Sequence, residues 1–284
     1  MRPRPAEWLL GGYAVVVVVT GLVRTERYPA AAWAAAAHGL LLVLLWLFQY
    51  PRLGPTGRLL RGAAPFVLLL GLYGALDLLS GFGAERTYDV VIRQWERGLF
   101  GSEISAEWWR SAPSAFWSSV LHAVYFAYYF VIPVPILQAL VQRDEPRLVS
   151  ASFALMATFV VCYVWFIFFP VAGPYYEYPR PAAWFTQNAP ARAVYGLLER
   201  GSSYGAAFPS SHVAATWVAA AATWTASRAL GAVLVAVAAL LTIAVVYCQM
   251  HYAVDAIAGV AVAALVVPTA RWIVATAGRT VPSS

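Results

Sequence analysis

The sequence of 284 residues is 61% hydrophobic and only 11% charged, whereas a soluble globular domain carries about a quarter charged residues. This composition excludes a water-soluble enzyme, a disordered chain, a collagen, a coiled coil and a disulfide-stapled secreted scaffold, and it indicates an integral membrane protein. The net charge is +6, but the arginines that carry it stand between long apolar runs, so they are better explained as loop charges that orient spans than as a nucleic-acid surface.

Apolar windows between the Pro, Gly and Arg interruptions give the spans in chain order. A membrane-spanning helix needs about 20 mostly apolar residues. The pattern predicts eight spans, at 8–23, 31–49, 63–80, 115–136, 148–169, 210–226, 229–247 and 253–274. The first is expected to remain as an anchor, because charged residues end it and no small-residue cleavage site follows. The predicted fold class is an all-α, polytopic bundle of about eight transmembrane helices.

The arginines predict how the spans are oriented. Their total divides almost evenly between the two faces, but the short loops carry them mainly on the side of the N-terminus, as with Arg2, Arg4 and Arg52. Short loops weigh most in the positive-inside rule, so both termini are predicted to be cytoplasmic, in a plasma (inner) membrane. The long segments 81–114 and 170–209 then lie on the extracytoplasmic face.

Both long segments have compositions that predict structure. In 81–114, apolar and charged residues alternate at helical spacing around Trp95, Trp108 and Trp109, which is typical of helices lying in the membrane interface. Segment 170–209 is rich in Pro, Gly and Tyr. Loops of that length in a compact chain are usually functional or disordered.

Two of the four histidines stand at span ends on the extracytoplasmic side. His212 opens the sixth span in AAFPSSHVAAT, and His251 precedes the eighth in VVYCQMHYAVDAIAG. Because spans alternate in direction, both imidazoles face the same side and can enter one site. Asp255 follows His251 by one helical turn, so its carboxylate can orient the imidazole as in a catalytic triad.

The sequence FPSSH adds a candidate anion site. Ser210 and Ser211 stand at a helix N-terminus, whose unpaired amides and hydroxyls attract an anion close to His212. Arg180, in GPYYEYPRP on the same face, can offer a charge-assisted fork to phosphate oxygens. Together with the His–Asp pair, these groups form a constellation for phosphoryl transfer. The alternatives are a helix cap for the serines and an interfacial anchor for Arg180.

The order and spacing of these stretches resemble a known family. GPYYEYPRP, then FPSSHVA and, roughly forty residues later, MHYAVD resemble the three motifs of the type 2 phosphatidic acid phosphatase superfamily over residues 170–260. The resemblance implies a five- to six-helix catalytic core, here 115–274. Accessory helices in 1–80, interfacial helices in 81–114 and a cytoplasmic tail in 275–284 would complete the chain.

The resemblance also implies roles for single residues. His251 would attack the phosphorus and become a phosphohistidine, Asp255 would orient it, and His212 would protonate the leaving oxygen. The phosphate would be held, without a metal or another cofactor, by Arg180, Ser210 and Ser211. These roles agree with the activated nucleophile, general acid and electrostatic clamp that the residues themselves indicate.

Two positions depart from the pattern of the superfamily. Gly173 stands where the first motif usually has a Lys, and Val245 where the third usually has an Arg. The branch that resembles inositol phosphorylceramide synthase also tends to lack the third-motif Arg, and it shows a Tyr four residues before the nucleophile, as Tyr247 is here. The resemblance therefore implies a transferase that moves a phosphoinositol-like head group from a phospholipid to a lipid hydroxyl.

Other functions fit the same residues. With water as the acceptor, the same site would serve a phosphatase for a lipid phosphate or a polyprenyl diphosphate. A lipid transporter or an inactive scaffold is a third interpretation, but no internal repeat is visible, and both histidines and Asp255 are retained.

Further contacts to the head group or the acceptor are predicted at Tyr175, Tyr176, Tyr247 and His122. An aromatic belt at the membrane surface is the alternative for Tyr175 and Tyr176, and a packing role is the alternative for His122. The sequence does not predict the oligomeric state, because lipid-facing and partner-facing apolar surfaces look alike.

Overall fold

The computed structural model describes residues 4–47, 54–81, 83 and 86–279. Several features used for prediction lie outside these ranges, namely Arg2, Arg52, the end of the second predicted span and residues 280–284 of the tail. Regular structure in the described residues is α-helical, so the all-α prediction is confirmed.

Fourteen helices follow one another along the described chain. They are α1 (Pro5–Arg24), α2 (Ala31–Leu47), α3 (Pro55–Leu79), α4 (Asp89–Phe100), α5 (Ile104–Ser111), α6 (Ala115–Val131), α7 (Val134–Val141), α8 (Glu145–Phe168), α9 (Pro174–Glu177), α10 (Ala183–Thr186), α11 (Ala189–Gly201), α12 (Ser211–Trp224), α13 (Arg228–Tyr247) and α14 (Ala253–Arg279). The helices α4 and α5 fall in the segment predicted to be helical before the fourth span. The helices α9 to α11 fall in the long segment that precedes α12.

Six helical stretches of the described chain are long and apolar enough to cross a membrane: α1, α3, the α6–α7 pair, α8, α13 and α14. They coincide with six of the eight predicted spans and support a multi-pass membrane protein. Of the other two predicted spans, α2 is described over 17 residues, up to the edge of the described range, and α12 has 14 residues. A 14-residue helix rises only about 21 Å, less than the roughly 30 Å of a hydrocarbon core, so the count of about eight is not confirmed.

The helix α8 is the most deeply buried of these stretches. It packs against α1, α3, α7, α12 and α14. Its start is capped by Asp144, whose side chain accepts a hydrogen bond from the Arg147 amide, and a proline follows in the first turn. The first helices of the chain therefore join the rest of the bundle through contacts with α8.

Three pieces of the chain meet at one end of the bundle: the start of α12, the connection between α13 and α14, and the stretch that follows α8. The amide of Ser210 donates to the carbonyl oxygen of Asp255 at 3.0 Å, which joins the first two. An isolated bridge between Val171 and Ala206 joins the third. This end of the bundle carries the residues that the sequence singles out for chemistry.

Candidate active site

The two histidines predicted to share a site are neighbours. His212 is the second residue of α12, and His251 lies in the connection between α13 and α14. The Nε2 atom of His251 lies 3.5 Å from the Nδ1 atom of His212. Both imidazoles line one cavity, so both can meet the same bound group.

His251 is held through its other ring nitrogen. Its Nδ1 lies 3.0 Å from the carbonyl oxygen of Ala207 and 3.4 Å from Oδ2 of Asp255. Because both partners are acceptors, we assign the proton to Nδ1 and the lone pair to Nε2. Asp255 is fully buried, and its Oδ2 accepts a hydrogen bond from the Tyr252 amide at 2.9 Å. This arrangement leaves Nε2 of His251 available as a nucleophile.

The helix that carries His212 begins at a capping serine. The hydroxyl of Ser210 accepts a hydrogen bond from the Val213 amide at 3.4 Å, and Ser210 is fully buried. Ser211, in contrast, lines the cavity. Gly259 lets α14 approach this turn, because a Cβ there would lie 2.6 Å from the Ser210 carbonyl oxygen. Ser210 therefore makes a capping contact, and Ser211 is the serine beside a bound group.

A tyrosine that the sequence did not assign to the site holds His212 from the other side. The hydroxyl of Tyr125 lies 3.2 Å from Nε2 of His212, and the ring of Tyr128 packs 4.3 Å from the imidazole, centroid to centroid. Both tyrosines are on α6, three positions apart, so they share one helix face. That spacing was the available signal, but nothing in the sequence says which face of α6 meets α12.

The cavity beside the histidines has a volume of about 500 Å³, within the size range of small-molecule sites. Most of its lining is apolar or aromatic. The helices α3, α6, α8 and α11 contribute to it with side chains that include Phe66, Leu69, Tyr73, Tyr163 and Leu198. Helix α3 belongs to the part of the chain predicted to be accessory, yet it forms one wall of this cavity.

Exposed side chains mark where the cavity opens. Val67 of α3, Tyr129 of α6 and Leu197 of α11 line it and are all exposed. In a membrane-embedded bundle, exposed apolar side chains on such helices face lipid rather than water. The opening is therefore framed by groups that suit the apolar chains of a lipid.

Arg180 is the predicted phosphate ligand that the structure places differently. Its guanidinium forms an ion pair with Glu199 at 3.1 Å and lies over the rings of Tyr175 and Tyr195. The hydrogen bond from Arg180 to Glu199 raises the pKa of Arg180. Arg180 is not among the residues that line the cavity, although Tyr175 beneath it is.

Of the four other residues predicted to contact the substrate, two line the cavity and two do not. Tyr175 and Tyr176 line the cavity. The Tyr247 hydroxyl instead donates to the Ala112 carbonyl oxygen at 2.9 Å, which links α13 to the end of α5. His122 is fully buried, and its Nδ1 lies 2.7 Å from the carbonyl oxygen of Ser118. Neither Tyr247 nor His122 belongs to the cavity lining.

The cavity is poor in full positive charge. Within the described residues no arginine lines it, and the sequence contains no lysine. The N-terminus of α12 supplies partial positive charge, because the first amides of a helix have no acceptor within it. No group of three or more His, Cys, Asp or Glu side chains in the described chain is arranged to hold a metal ion.

The comparisons with known proteins give one positive result. A family model described as PAP2 superfamily matches residues 90–269, well over half of the chain. This region contains both histidines, Asp255, Arg180, α5 and all of α4 except its first residue, Asp89, whereas α3 lies before it. No match is found among curated proteins or among solved structures.

Proposed function

Because the chain belongs to the PAP2 superfamily, whose members are generally phosphatases or phosphotransferases, we propose that it is a lipid head-group transferase. In this proposal it takes a phospho-alcohol, such as phosphoinositol, from a phospholipid and passes it to a lipid hydroxyl. The observation that carries the proposal is the buried His251–Asp255 pair, which presents Nε2 beside His212 in a cavity that opens among apolar side chains.

The first half-reaction forms a covalent intermediate. Nε2 of His251 attacks the phosphorus of the phosphodiester, the new P–N bond forms, and the bond from phosphorus to the diacylglycerol oxygen breaks. His212 gives a proton to that leaving oxygen. Asp255 and the carbonyl oxygen of Ala207 stabilise the positive charge that develops on the His251 ring.

The second half-reaction reverses the proton transfer. His212, now neutral, takes the proton from the acceptor hydroxyl, and the acceptor oxygen attacks the phosphorus while the P–N bond breaks. The phospho-alcohol is thus transferred from the donor lipid to the acceptor lipid. The separation of 3.5 Å between the two ring nitrogens leaves no room for a phosphorus atom, so one ring must turn as the substrate enters.

The charge of the cavity favours a phosphodiester over a phosphomonoester. A phosphomonoester carries about −1.5 to −2 charges near neutral pH, whereas a phosphodiester carries only one. Burying the second charge is costly unless a cation pairs with it. No arginine of the described chain lines the cavity, and Gly173 and Val245 stand where the superfamily pattern has cations. The partial charge of the α12 N-terminus suits the single charge of a phosphodiester.

A product analysis tests the proposal. The purified protein in liposomes is offered phosphatidylinositol, phosphatidic acid or a polyprenyl diphosphate, each with and without ceramide or diacylglycerol. His251→Ala is the inactive variant, and His38→Gln is the matched control, because His38 is buried against Ala34 and Tyr13 outside the cavity. We expect a new phospholipid that requires an acceptor and is absent with His251→Ala.

Other results would replace the proposal. Inorganic phosphate released without an acceptor, and lost with His251→Ala, would establish a phosphatase instead. If neither product appears and no acid-labile phosphoenzyme can be trapped on the wild type, the chain is a transporter or scaffold.

A further inference from the structure

We infer that helix α4 positions the nucleophile through two buried carboxylates, Asp89 and Glu96, which hold backbone amides on either side of the site. The inference rests on the proposed role of His251. It goes beyond that role, because it assigns a function to side chains outside the three motifs and to a helix that those motifs do not include.

Asp89 joins the first and third motifs. It is only 2% exposed, and its Oδ2 accepts a hydrogen bond from the Ala172 amide at 2.8 Å. Its Oδ1 accepts from the Gly173 amide at 2.8 Å and from the Tyr252 hydroxyl at 2.9 Å. Tyr252 follows His251 directly, so one carboxylate fixes the distance between the start of the first motif and the nucleophile.

Glu96 lies two helical turns further along α4 and holds the other side of the nucleophile. It is fully buried, and its Oε1 accepts from the Ala253 amide at 2.8 Å and from the Ser105 amide at 3.3 Å. Its Oε2 accepts from the Ser105 hydroxyl at 2.8 Å. Ala253 begins α14 two residues after His251, so Glu96 fixes the point from which the helix of Asp255 starts.

The burial of these two carboxylates is energetically costly, and this cost indicates that they have a function. Two buried carboxyl groups that take only neutral donors would be unnecessary if α4 merely covered the site, because apolar side chains could do that without the loss of hydration. Within the described residues neither carboxylate forms an ion pair. Burial raises the pKa of Glu96, although the amides of Ala253 and Ser105 oppose the rise. Every donor they accept from belongs to the site or to the adjoining helix α5.

The two carboxylates differ in whether an amide can replace them. In Glu96→Gln, the carbonyl oxygen can still accept from both amides, and the new NH₂ group can donate to the Ser105 hydroxyl oxygen. In Asp89→Asn, both oxygens of the original group accept from backbone amides, so the NH₂ group must face an N–H donor. A role as hydrogen-bond acceptor therefore predicts opposite outcomes for the two isosteric variants.

The test compares both variants with Glu107→Gln, which alters an exposed carboxylate on α5. For Asp89→Asn we expect kcat to fall about 100-fold with KM within a few-fold, because a small displacement of a nucleophile costs about that factor. For Glu96→Gln we expect kcat within about threefold of the wild type, and a large loss with Glu96→Ala. The Nδ1–H resonance of His251 should shift with Asp89→Asn and not with Glu96→Gln.

The outcomes separate this inference from the proposed function. Activity and resonances equal to wild type in Asp89→Asn would overturn the inference. Equal losses of activity in Asp89→Asn and Glu96→Gln would also overturn it, since loss of a negative charge alone would affect both variants alike. A wild type no more active than His251→Ala would overturn the proposed function alone, because the resonance shift reports on positioning without turnover. If Asp89→Asn does not fold, the two Glu96 variants still test the inference. It requires that Glu96→Gln keeps a kcat close to that of the wild type and that Glu96→Ala loses it.

Discussion

Two segments of the chain touch each other beside the cavity. One is residues 249–255, which carries His251, and the other is residues 175–181, which carries Arg180. The Gln249 side chain of the first donates to the Pro179 carbonyl oxygen of the second at 3.1 Å. We call them the nucleophile segment and the arginine segment. In the first, His251 is only 4% exposed and its Nδ1 lies against buried acceptors. In the second, the Arg180 side chain is 60% exposed and pairs with a carboxylate at the surface.

The difference shows which part of the site is fixed before substrate arrives. Hydrogen bonds in a buried, low-dielectric environment are strong and hold one geometry. An exposed ion pair contributes only about 0–1 kcal/mol and is screened by salt. The proposed nucleophile is therefore preorganised, whereas the guanidinium of Arg180 is not. Catalysis is expected to depend steeply on groups that hold the nucleophile segment and weakly on the charge of the arginine segment.

The largest effect on the reaction rate should follow from a substitution of Asp255 in the nucleophile segment. With Asp255→Asn, the amide oxygen can still accept from Nδ1 of His251 and from the Tyr252 amide, but the negative charge that would stabilise the positively charged ring of His251 is lost. We expect the rate of phosphoenzyme formation to fall about 10³- to 10⁴-fold, as in triads that lose this carboxylate. Rapid-quench trapping of the labelled enzyme measures it directly.

The control for this variant is Asp144→Asn at the start of α8. Asn caps a helix about as well as Asp, so the substitution should leave both folding and turnover unchanged. A loss of less than about tenfold in Asp255→Asn would mean that neutral oxygen acceptors, such as the Ala207 carbonyl, are sufficient to orient His251. The nucleophile segment would then be less dependent on its carboxylate than the comparison requires.

The histidines and Asp255 were accessible to sequence reasoning because their relation follows from simple rules. Spans alternate in direction, which puts His212 and His251 on one side, and four residues make one helical turn, which puts Asp255 next to His251. Span positions were predictable for the same reason, since hydropathy depends on the local sequence alone. The predicted span at 210–226 begins at Ser210, the cap of α12, and ends two residues after Trp224, the last residue of that helix.

The contacts of the arginine segment and of α4 could not be predicted, because they depend on how loops fold back. Arg180 meets Glu199 only through the path of α9 to α11, which no periodicity specifies. Asp89 and Glu96 stand near Arg93 and Arg97 in the sequence, and such a charge pattern is usually a solvated helix face. The arginines instead contact Glu103, so the two acids are left to face the site.

A smaller effect should follow from removing the cation of the arginine segment. For Arg180→Gln we expect kcat/KM with a phosphodiester donor to fall no more than about threefold, because the exposed guanidinium already pairs with Glu199. Steady-state kinetics of Arg180→Gln and of Glu199→Gln measure this. The second variant keeps Arg180 but removes its partner. A loss of 100-fold or more in Arg180→Gln would show that the guanidinium leaves Glu199 for the phosphate.

The smallest effect concerns Glu103, which joins α4 to the arginine segment. Its Oε2 accepts from the Tyr178 hydroxyl at 2.6 Å and from Arg93 at 3.0 Å. Burial by itself raises the pKa of Glu103, but the hydrogen bonds from Tyr178 and Arg93 outweigh it and hold that pKa below its usual value. A carboxylate whose pKa is lowered by folding stabilises the fold above its unfolded-state pKa, about 4.3, and this contribution is lost as the pH falls through the folded-state value.

The thermal midpoint in detergent should therefore decrease as the pH is lowered below about 4.3, and Glu103→Gln should flatten part of that decrease. The effect should be small, about 1 kcal/mol or less, because the arginine partners are partly exposed. Glu199→Gln is the matched control, because it removes a carboxylate whose ion pair with Arg180 is exposed. If the two variants flatten the profile equally, burial of Glu103 adds nothing, and the arginine segment is held by surface pairs throughout.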